Sequence, residues 1–157
     1  MTDPPAGLNK VLEAEHAAVY AYGVVGARTG GTQRSSAAAG FNAHRARRDQ
    51  IRGLIMARGG TPAEAGASYE LPFPVVTGAD AARLAAFVED RVTAAYLELA
   101  SVDDFSLRRL AALAMQECTV RAYAWRPAIA AFPGWPSRDP SPSPSRPSTT
   151  PPVSLNQ

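Results

Sequence analysis

The sequence predicts an all-α protein, a bundle of four helices, and three observations lead to that prediction. Alanine and leucine dominate residues 5 to about 130, and apolar residues there recur at helical spacing. Helix-stopping residues divide this region into four long segments. The chain of 157 residues has the length of one domain with a core of its own. Its single cysteine excludes an internal disulfide and a metal site built from several cysteines.

Local signals place the first two helices. The first begins at Pro4, a residue suited to the first turn of a helix, and ends within 26–31, where glycines cluster. Thr32 is the predicted N-cap of the second helix. That helix runs to Arg58 and stops at Gly59-Gly60, a typical C-terminal stop signal.

The third and fourth helices begin with similar signals. Thr77 and Asp80 have the spacing of a capping box at the start of the third helix, and Ser101 and Asp104 repeat it for the fourth. The fourth helix is expected to weaken near Arg126-Pro127, because a residue before proline avoids the helical region.

The connections between the helices are unequal in length. The first and last are short turns, whereas about eighteen residues from Gly59 to Thr77 separate helices two and three. An extended segment of that length can run along a helix of about 24 residues. The sequence therefore predicts one long crossover between helices 2 and 3, the connectivity of one class of four-helix bundle.

Four ionisable side chains are predicted to meet in the middle of this bundle, one from each helix. On helical wheels Glu15, His44, Glu89 and Glu117 all fall on apolar faces, and all four lie near the mid-level of their helices. Buried charges must be paired, hydrogen-bonded or bound to a metal. The four residues are therefore expected either to satisfy one another or to hold a metal ion.

Three more polar side chains point toward the same level. Tyr22 lies on the apolar face of helix one, Arg48 lies about 40° from His44, and Arg121 is one turn from Glu117. With His44 neutral, the inward charges are three negative against two positive. Arginine heads can satisfy carboxylates that otherwise bind metal, so Tyr22, Arg48 and Arg121 are predicted members of a buried polar network.

At these positions the chain resembles the ferritin-like di-iron proteins, over residues 5 to about 130. Segments such as Ala-Glu-His-Ala-Ala-Val-Tyr-Ala-Tyr-Gly look more narrowly like an uncharacterised ferritin-like family common in actinobacteria. The resemblance implies a lone Glu on helices one and three, matched by Glu15 and Glu89, and a Glu-x-x-His on helices two and four. Helix two keeps Phe41-x-x-His44, and helix four keeps Glu117-x-x-Val120.

The lost ligands favour a bundle that lacks a complete di-iron site. The leading prediction is a ferritin-like protein without a cofactor, whose buried Glu/Arg/His network acts structurally or in partner binding. The alternative is a metal-dependent oxidoreductase or iron-handling protein that holds iron or another divalent metal with a reduced ligand set. Whether the chain is an enzyme stays open at this point.

Two further residues carry weaker signals. His16 follows Glu13 at a second Glu-x-x-His spacing, but Glu13 faces away from the core, so a ligand role is disfavoured. Cys118 lacks the neighbours that a catalytic nucleophile needs and is interpreted as a buried free thiol.

The remaining expectations come from composition. A net charge of +2 disfavours nucleic acid and anionic membranes as partners, and neither a signal peptide nor a membrane-spanning run is evident, so we expect a cytoplasmic protein. Eight of the 14 prolines lie from Pro133 onward among serines. The predicted organisation is a bundle at 1–133 and a disordered Pro/Ser-rich tail at 134–157, with a polyproline ligand or a phosphorylated Ser-Pro run as the alternative readings of the tail. Alanine-rich outer helix faces suggest a homodimer.

Overall fold

The computed structural model describes residues 4–128 and 132–135 and contains four helices, which confirms the all-α prediction. They are α1 (Pro4–Ala27), α2 (Gly31–Ala57), α3 (Gly78–Leu99) and α4 (Phe105–Trp125), and this described part of the chain has no strand. α1 packs along both α2 and α3, and α3 packs along α4. None of the four helices is long and apolar enough to cross a membrane. Most of the predicted tail, residues 136–157, lies outside the described residues.

The ends of α2 differ in how well they were predicted. The predicted Thr32 cap is wrong, because α2 begins at Gly31 with Gly30 as an N-cap that has no side chain to offer. The C-terminal stop is confirmed. Gly59 has a φ of +74°, a left-handed conformation that favours glycine. The N–H groups of Gly59 and Gly60 donate to the carbonyls of Met56 and Ile55, which is a Schellman motif.

At α3 and α4 one capping box is confirmed and the other is wrong. Thr77 and Asp80 form the reciprocal box at the start of α3. Ser101 instead donates its hydroxyl hydrogen to the carbonyl of Glu98, at the end of α3. Asp104 is itself the N-cap of α4, accepting from the N–H groups of Ser106 and Leu107. α4 ends at Trp125, just before Arg126-Pro127, as predicted.

The segment that joins α2 to α3 lies against α1. The Asn9 side chain donates to the carbonyl of Thr61 (3.0 Å) and accepts from the N–H of Ala63 (2.8 Å), in the manner of a backbone pair. The ring of His16 contacts the Ala63 carbonyl at 3.1 Å. His16 is therefore engaged with this segment and does not form a ligand pair with Glu13.

The interior combines an apolar core with a polar middle layer. Aliphatic and small side chains from all four helices fill it, including Leu8, Leu12, Val25, Ile51, Ile55, Leu84, Leu99 and Leu107. α2 and α4 are joined across the bundle by ion pairs, Arg47 with Glu117 at 2.6 Å and Arg58 with Asp104 at 3.2 Å.

Candidate functional site

Three of the four predicted ligand residues meet in the middle of the bundle. The His44 ring lies between two glutamates, with Nδ1 2.7 Å from Glu15 Oε2 and Nε2 3.1 Å from Glu89 Oε1. Their side chains are at most 1% exposed. Each residue stands on the inner face of its helix, so α1, α2 and α3 each contribute one charged group to this layer.

Each of these two glutamates also accepts a hydrogen bond from a tyrosine on the other of the two helices α1 and α3. Tyr96 on α3 donates to Glu15 Oε1 on α1 at 2.7 Å, and Tyr22 on α1 donates to Glu89 Oε1 on α3 at 2.6 Å. Each tyrosine follows the glutamate of its own helix by seven residues. The crossed pairs therefore reflect the antiparallel packing of α1 on α3. The indole N–H of Trp125 donates to the Tyr22 hydroxyl at 3.1 Å and extends the network to α4.

A cation from α4 completes the site. Arg121 Nε donates to Glu89 Oε1 at 2.8 Å, and its Nη2 lies 3.4 Å from Cys118 Sγ. Glu89 Oε1 thus accepts from Tyr22, His44 and Arg121, whereas Glu89 Oε2 is buried and has no hydrogen-bond partner. We use the name central cluster for Glu15, Tyr22, His44, Glu89, Tyr96, Cys118 and Arg121.

The electrostatics of the central cluster favour protonated His44. Burial lowers the pKa of His44, but the hydrogen bonds to Glu15 and Glu89, together with their charges, outweigh burial and raise it to about 9. Burial raises the pKa of Glu89, but its contacts with His44 and Arg121 give a net lowering. The formal charges of Glu15, Glu89, His44 and Arg121 then sum to zero. The expected sum of three negative against two positive charges counted Glu117 and Arg48 as inward and His44 as neutral, whereas Glu117 is 53% exposed and Arg48 pairs with Asp49.

The two tyrosine hydroxyls and the cysteine thiol of the central cluster are held in their protonated forms. Burial is the largest cause that raises the pKa of Tyr22, Tyr96 and Cys118, and the nearby glutamate charges raise it further. The Cys118 thiol is therefore protonated and enclosed, which agrees with its interpretation as a buried free cysteine.

The predicted inward orientation of Glu117 and Arg48 is wrong. Glu117 is 53% exposed and pairs with Arg47, because it lies 100° around α4 from the buried Cys118 and its side chain is too short to turn inward. Arg121 lies on the same flank, but its longer side chain reaches the core. Arg48, at the edge of the buried face of α2, pairs with its neighbour Asp49 at 2.8 Å.

Comparison with known proteins places the chain in a family. Residues 7–137 match the family described as "Domain of unknown function (DUF4439)". The chain belongs to the DUF4439 family. The conserved hypothetical protein rv2844 from Mycobacterium tuberculosis is similar in structure, with a TM-score of 0.76 and 34% sequence identity over 79% of this chain and 95% of that one. No curated protein matches the sequence.

Two members of the central cluster in this DUF4439 chain, Tyr96 and Cys118, and the adjoining Trp125 were not predicted to act as polar groups. The apolar periodicity of α3 and α4 predicts packing roles for the rings of Tyr96 and Trp125, and Cys118 is interpreted above as a buried free thiol. The seven-residue spacing of Glu89 and Tyr96, which repeats that of Glu15 and Tyr22, is the signal that identifies the tyrosine pair.

The hydrogen bonds within the central cluster determine which chemistry its side chains can perform. Both nitrogens of His44 face carboxylates, and both carboxylates accept from tyrosines. In the part of the DUF4439 domain that the structure describes, no three His, Cys, Asp or Glu side chains are arranged to hold a metal ion together. The arrangement is a continuous hydrogen-bonded network that links all four helices.

Proposed function

We propose that this protein is a ferritin-like bundle with a long crossover between α2 and α3. The crossed Glu–Tyr pairs require α1 and α3 to be antiparallel, and the contact between Glu15 and His44 follows the short turn that makes α1 and α2 antiparallel. α2 and α3 then run in the same direction. The twenty residues 58–77, at up to about 3.3 Å each, are long enough to return along the bundle.

Within this fold, two pairs of positions three residues apart face the centre where ferritin-like proteins carry Glu-x-x-His. On α2 the pair is Phe41 and His44, and Phe41 packs against the core. On α4 the buried Cys118 and the inward-reaching Arg121 form the pair, since Val120 is 70% exposed. The motif expected at Glu117 is thus displaced by one residue, and both of its ligands are replaced.

The residues present do not fit a di-iron centre. Such a centre needs several carboxylates, some of them bridging, and two histidines. Here two carboxylates and one histidine converge, and the Arg121 guanidinium is 2.8 Å from one carboxylate. A bound iron pair would face repulsion from that cation and would have to replace hydrogen bonds already made by Tyr22, Tyr96 and His44.

The function that this geometry supports best is a non-catalytic scaffold. In this proposal the central cluster acts without metal, fixes the packing of the four helices, and leaves the outer surfaces to bind a partner. The observation that carries the proposal is the placement of Arg121 Nε and His44 Nε2 within hydrogen-bond distance of Glu89 Oε1. Buried polar groups that satisfy one another can specify a unique packing.

Metal analysis of purified protein tests this proposal. Protein from iron-supplemented cells is expected to contain well under about 0.1 iron per chain, because its carboxylates are neutralised by cations. The triple variant Phe41→Glu, Cys118→Glu, Arg121→His restores the ligand types of the ferritin-like motif and is expected to gain iron. The metal-free proposal would be contradicted if the unmodified protein contained near-stoichiometric iron. In that case the iron would be lost in Glu89→Gln and kept in the exposed control Glu117→Gln.

A second candidate is a site for one divalent cation, which Glu15, His44 and Glu89 would form only by exchanging the hydrogen bonds between them for bonds to the cation, since their present arrangement does not hold one. The observation that favours it is Glu89 Oε2, a buried oxygen without a partner. Isothermal titration of metal-depleted protein with Zn²⁺ or Fe²⁺ distinguishes the two candidates. One-site binding that disappears in Glu89→Gln supports the cation site, and no heat of binding supports the scaffold.

The scaffold proposal includes a homodimer. Four large apolar side chains at the start and on the outside of α4 are exposed, namely Phe105, Leu113, Val120 and Tyr123. Exposed apolar surface of this kind is typical of protein–protein contacts.

A further inference from the structure

The outer face of α4 has a regularly spaced row of exposed side chains that are not part of the central cluster. Arg109, Leu113, Gln116, Val120 and Tyr123 are all exposed and lie on one side of the helix. Their spacing is 4, 3, 4 and 3 residues, the repeat by which one helix packs along another in a coiled coil. We call these five residues the α4 seam.

Three of the five residues of the α4 seam are large and apolar, and all three are exposed. Leu113 is 47% exposed, Val120 70% and Tyr123 53%. Arg109 is its one charged residue. Leaving these side chains in water forfeits the free energy that their burial would give, so the seam is suited to be covered by another helix.

The α4 seam is also complementary to the same seam on a second copy of the chain. Gln116 is its midpoint, with Leu113 and Val120 about one turn to either side and Arg109 and Tyr123 seven residues to either side. Two such seams packed antiparallel about a two-fold axis at Gln116 would place Leu113 against Val120 of the partner subunit. Arg109 would then lie over the ring of Tyr123 of the partner subunit, a cation–π contact.

Charge and hydrogen bonding decide the direction of pairing. A parallel arrangement would put two Arg109 guanidinium groups against each other, whereas the antiparallel one separates them. At the axis the Gln116 amides can each donate and accept, and a single polar residue in a seam fixes the register of paired helices. Closed two-fold pairing of one surface with itself is the commonest form of homo-oligomer.

We infer that the α4 seam is the interface through which two copies of this chain associate, antiparallel about Gln116. This inference rests on the proposed homodimer, but it is independent of whether the central cluster binds metal. The occupant is a second copy, because the seam complements its own pattern of apolar, polar and charged residues.

Sedimentation velocity of the full chain over a range of concentrations tests the interface. The unmodified protein is expected to sediment with twice its chain mass of 16.5 kDa. Val120→Glu and Leu113→Glu each place a charge in the seam and are expected to raise the dimer dissociation constant by about 100-fold or more. Val76→Glu is the matched control, since Val76 is 69% exposed but lies outside α4, and it is expected to leave the dimer intact.

The outcomes separate the interface from the homodimer itself. A monomer at all concentrations would overturn both. A dimer that survives Val120→Glu and Leu113→Glu would overturn the seam alone, as would a dimer that Val76→Glu disrupts equally. Circular dichroism establishes that each variant retains its helices, and Leu113→Glu serves if Val120→Glu does not fold.

Disulfide cross-linking tests the register. In Gln116→Cys the new thiols of two copies meet at the two-fold axis, so mild oxidation is expected to yield a covalent dimer. The control Ala38→Cys places an exposed thiol on α2, away from the seam, and is expected to stay uncoupled. Equal cross-linking of both variants, or none in Gln116→Cys, would overturn pairing about Gln116.

Discussion

The ring of Tyr22 lies against the backbone of α2 at Gly40. A Cβ atom built on Gly40 would stand 2.3 Å from Tyr22 Cε1, closer than side chains approach each other. From this position the Tyr22 hydroxyl reaches Glu89 and receives the indole N–H of Trp125. Gly40 therefore provides the space in which one arm of the central cluster is held.

Gly40→Ala is expected to destabilise the protein by about 2 kcal/mol, because the new methyl group displaces a tightly packed ring and weakens its bond to Glu89. Urea unfolding followed by circular dichroism measures the change. Gly53→Ala on the same helix is the control. Nothing lies within 4 Å of its added methyl group, so it is expected to stabilise α2 by about 0.5–1 kcal/mol. Equal effects of the two substitutions would contradict the steric role of Gly40.

Removing the cation of the central cluster is expected to cost more than removing a surface cation. Arg121→Ala leaves the fully buried Glu89 without its guanidinium, and we expect a loss of about 3 kcal/mol. Arg126→Ala removes a charge from the end of α4 whose partner, Asp90, is about half exposed, and we expect a loss below about 1 kcal/mol. Thermal or urea unfolding of both variants provides the comparison. An unchanged melting temperature in Arg121→Ala would contradict the role of this pair.

Cys118 is expected to be unreactive in the folded protein. The thiol is buried and its pKa is raised, mainly by burial, so little thiolate is accessible to a reagent. A chromogenic disulfide reagent is expected to modify it at least about 100-fold more slowly in buffer than in urea, through local opening. Ala38→Cys adds an exposed thiol that should react at once, and similar rates for the two thiols would show that Cys118 is accessible.

The fold was predictable because the ends and the buried face of a helix are determined largely by residues close together in the sequence. Stop signals and apolar periodicity placed all four helices, including the ends at Gly59-Gly60 and before Pro127. The errors arose where two capping residues compete within a few positions. Gly30 precedes Thr32 at the start of α2, and Asp104 caps α4 without Ser101. Such choices depend on backbone angles that the sequence does not reveal.

The site was predictable where a residue lies at the middle of an apolar face and not where it lies at the edge. Glu15, His44 and Glu89 are central on their helices and meet as expected. At the flank of α4, side-chain length decides, so that Arg121 reaches inward and Glu117 does not. The polar role of Tyr96 was not predicted, because an aromatic ring on an apolar helix face is expected there for packing alone. Its position gives no sign that its hydroxyl binds a carboxylate.

The cytoplasmic location and the absence of a nucleic-acid partner stay predictions.

Stability is expected to decrease with rising pH as His44 loses its proton. The folded pKa of His44 is about 9, above its ordinary value of 6.5. A raised folded pKa stabilises the native state fully below about pH 6.5, and this stabilisation is lost as the pH rises through about 9. The difference corresponds to on the order of 3 kcal/mol. Urea unfolding at several pH values from 6 to 10 measures it.

The control for this pH dependence is His44→Gln, which keeps hydrogen-bonding groups at the centre but removes the titrating ring. In this variant the free energy of unfolding is expected to be lower at pH 6 and to vary little between pH 6.5 and 9, because the His44 ring no longer titrates there. His16, which contacts a carbonyl and not a carboxylate, offers a second comparison through His16→Gln. If the decline above pH 7 persists in His44→Gln and disappears in His16→Gln, then His44 is not the group that couples the central cluster to pH.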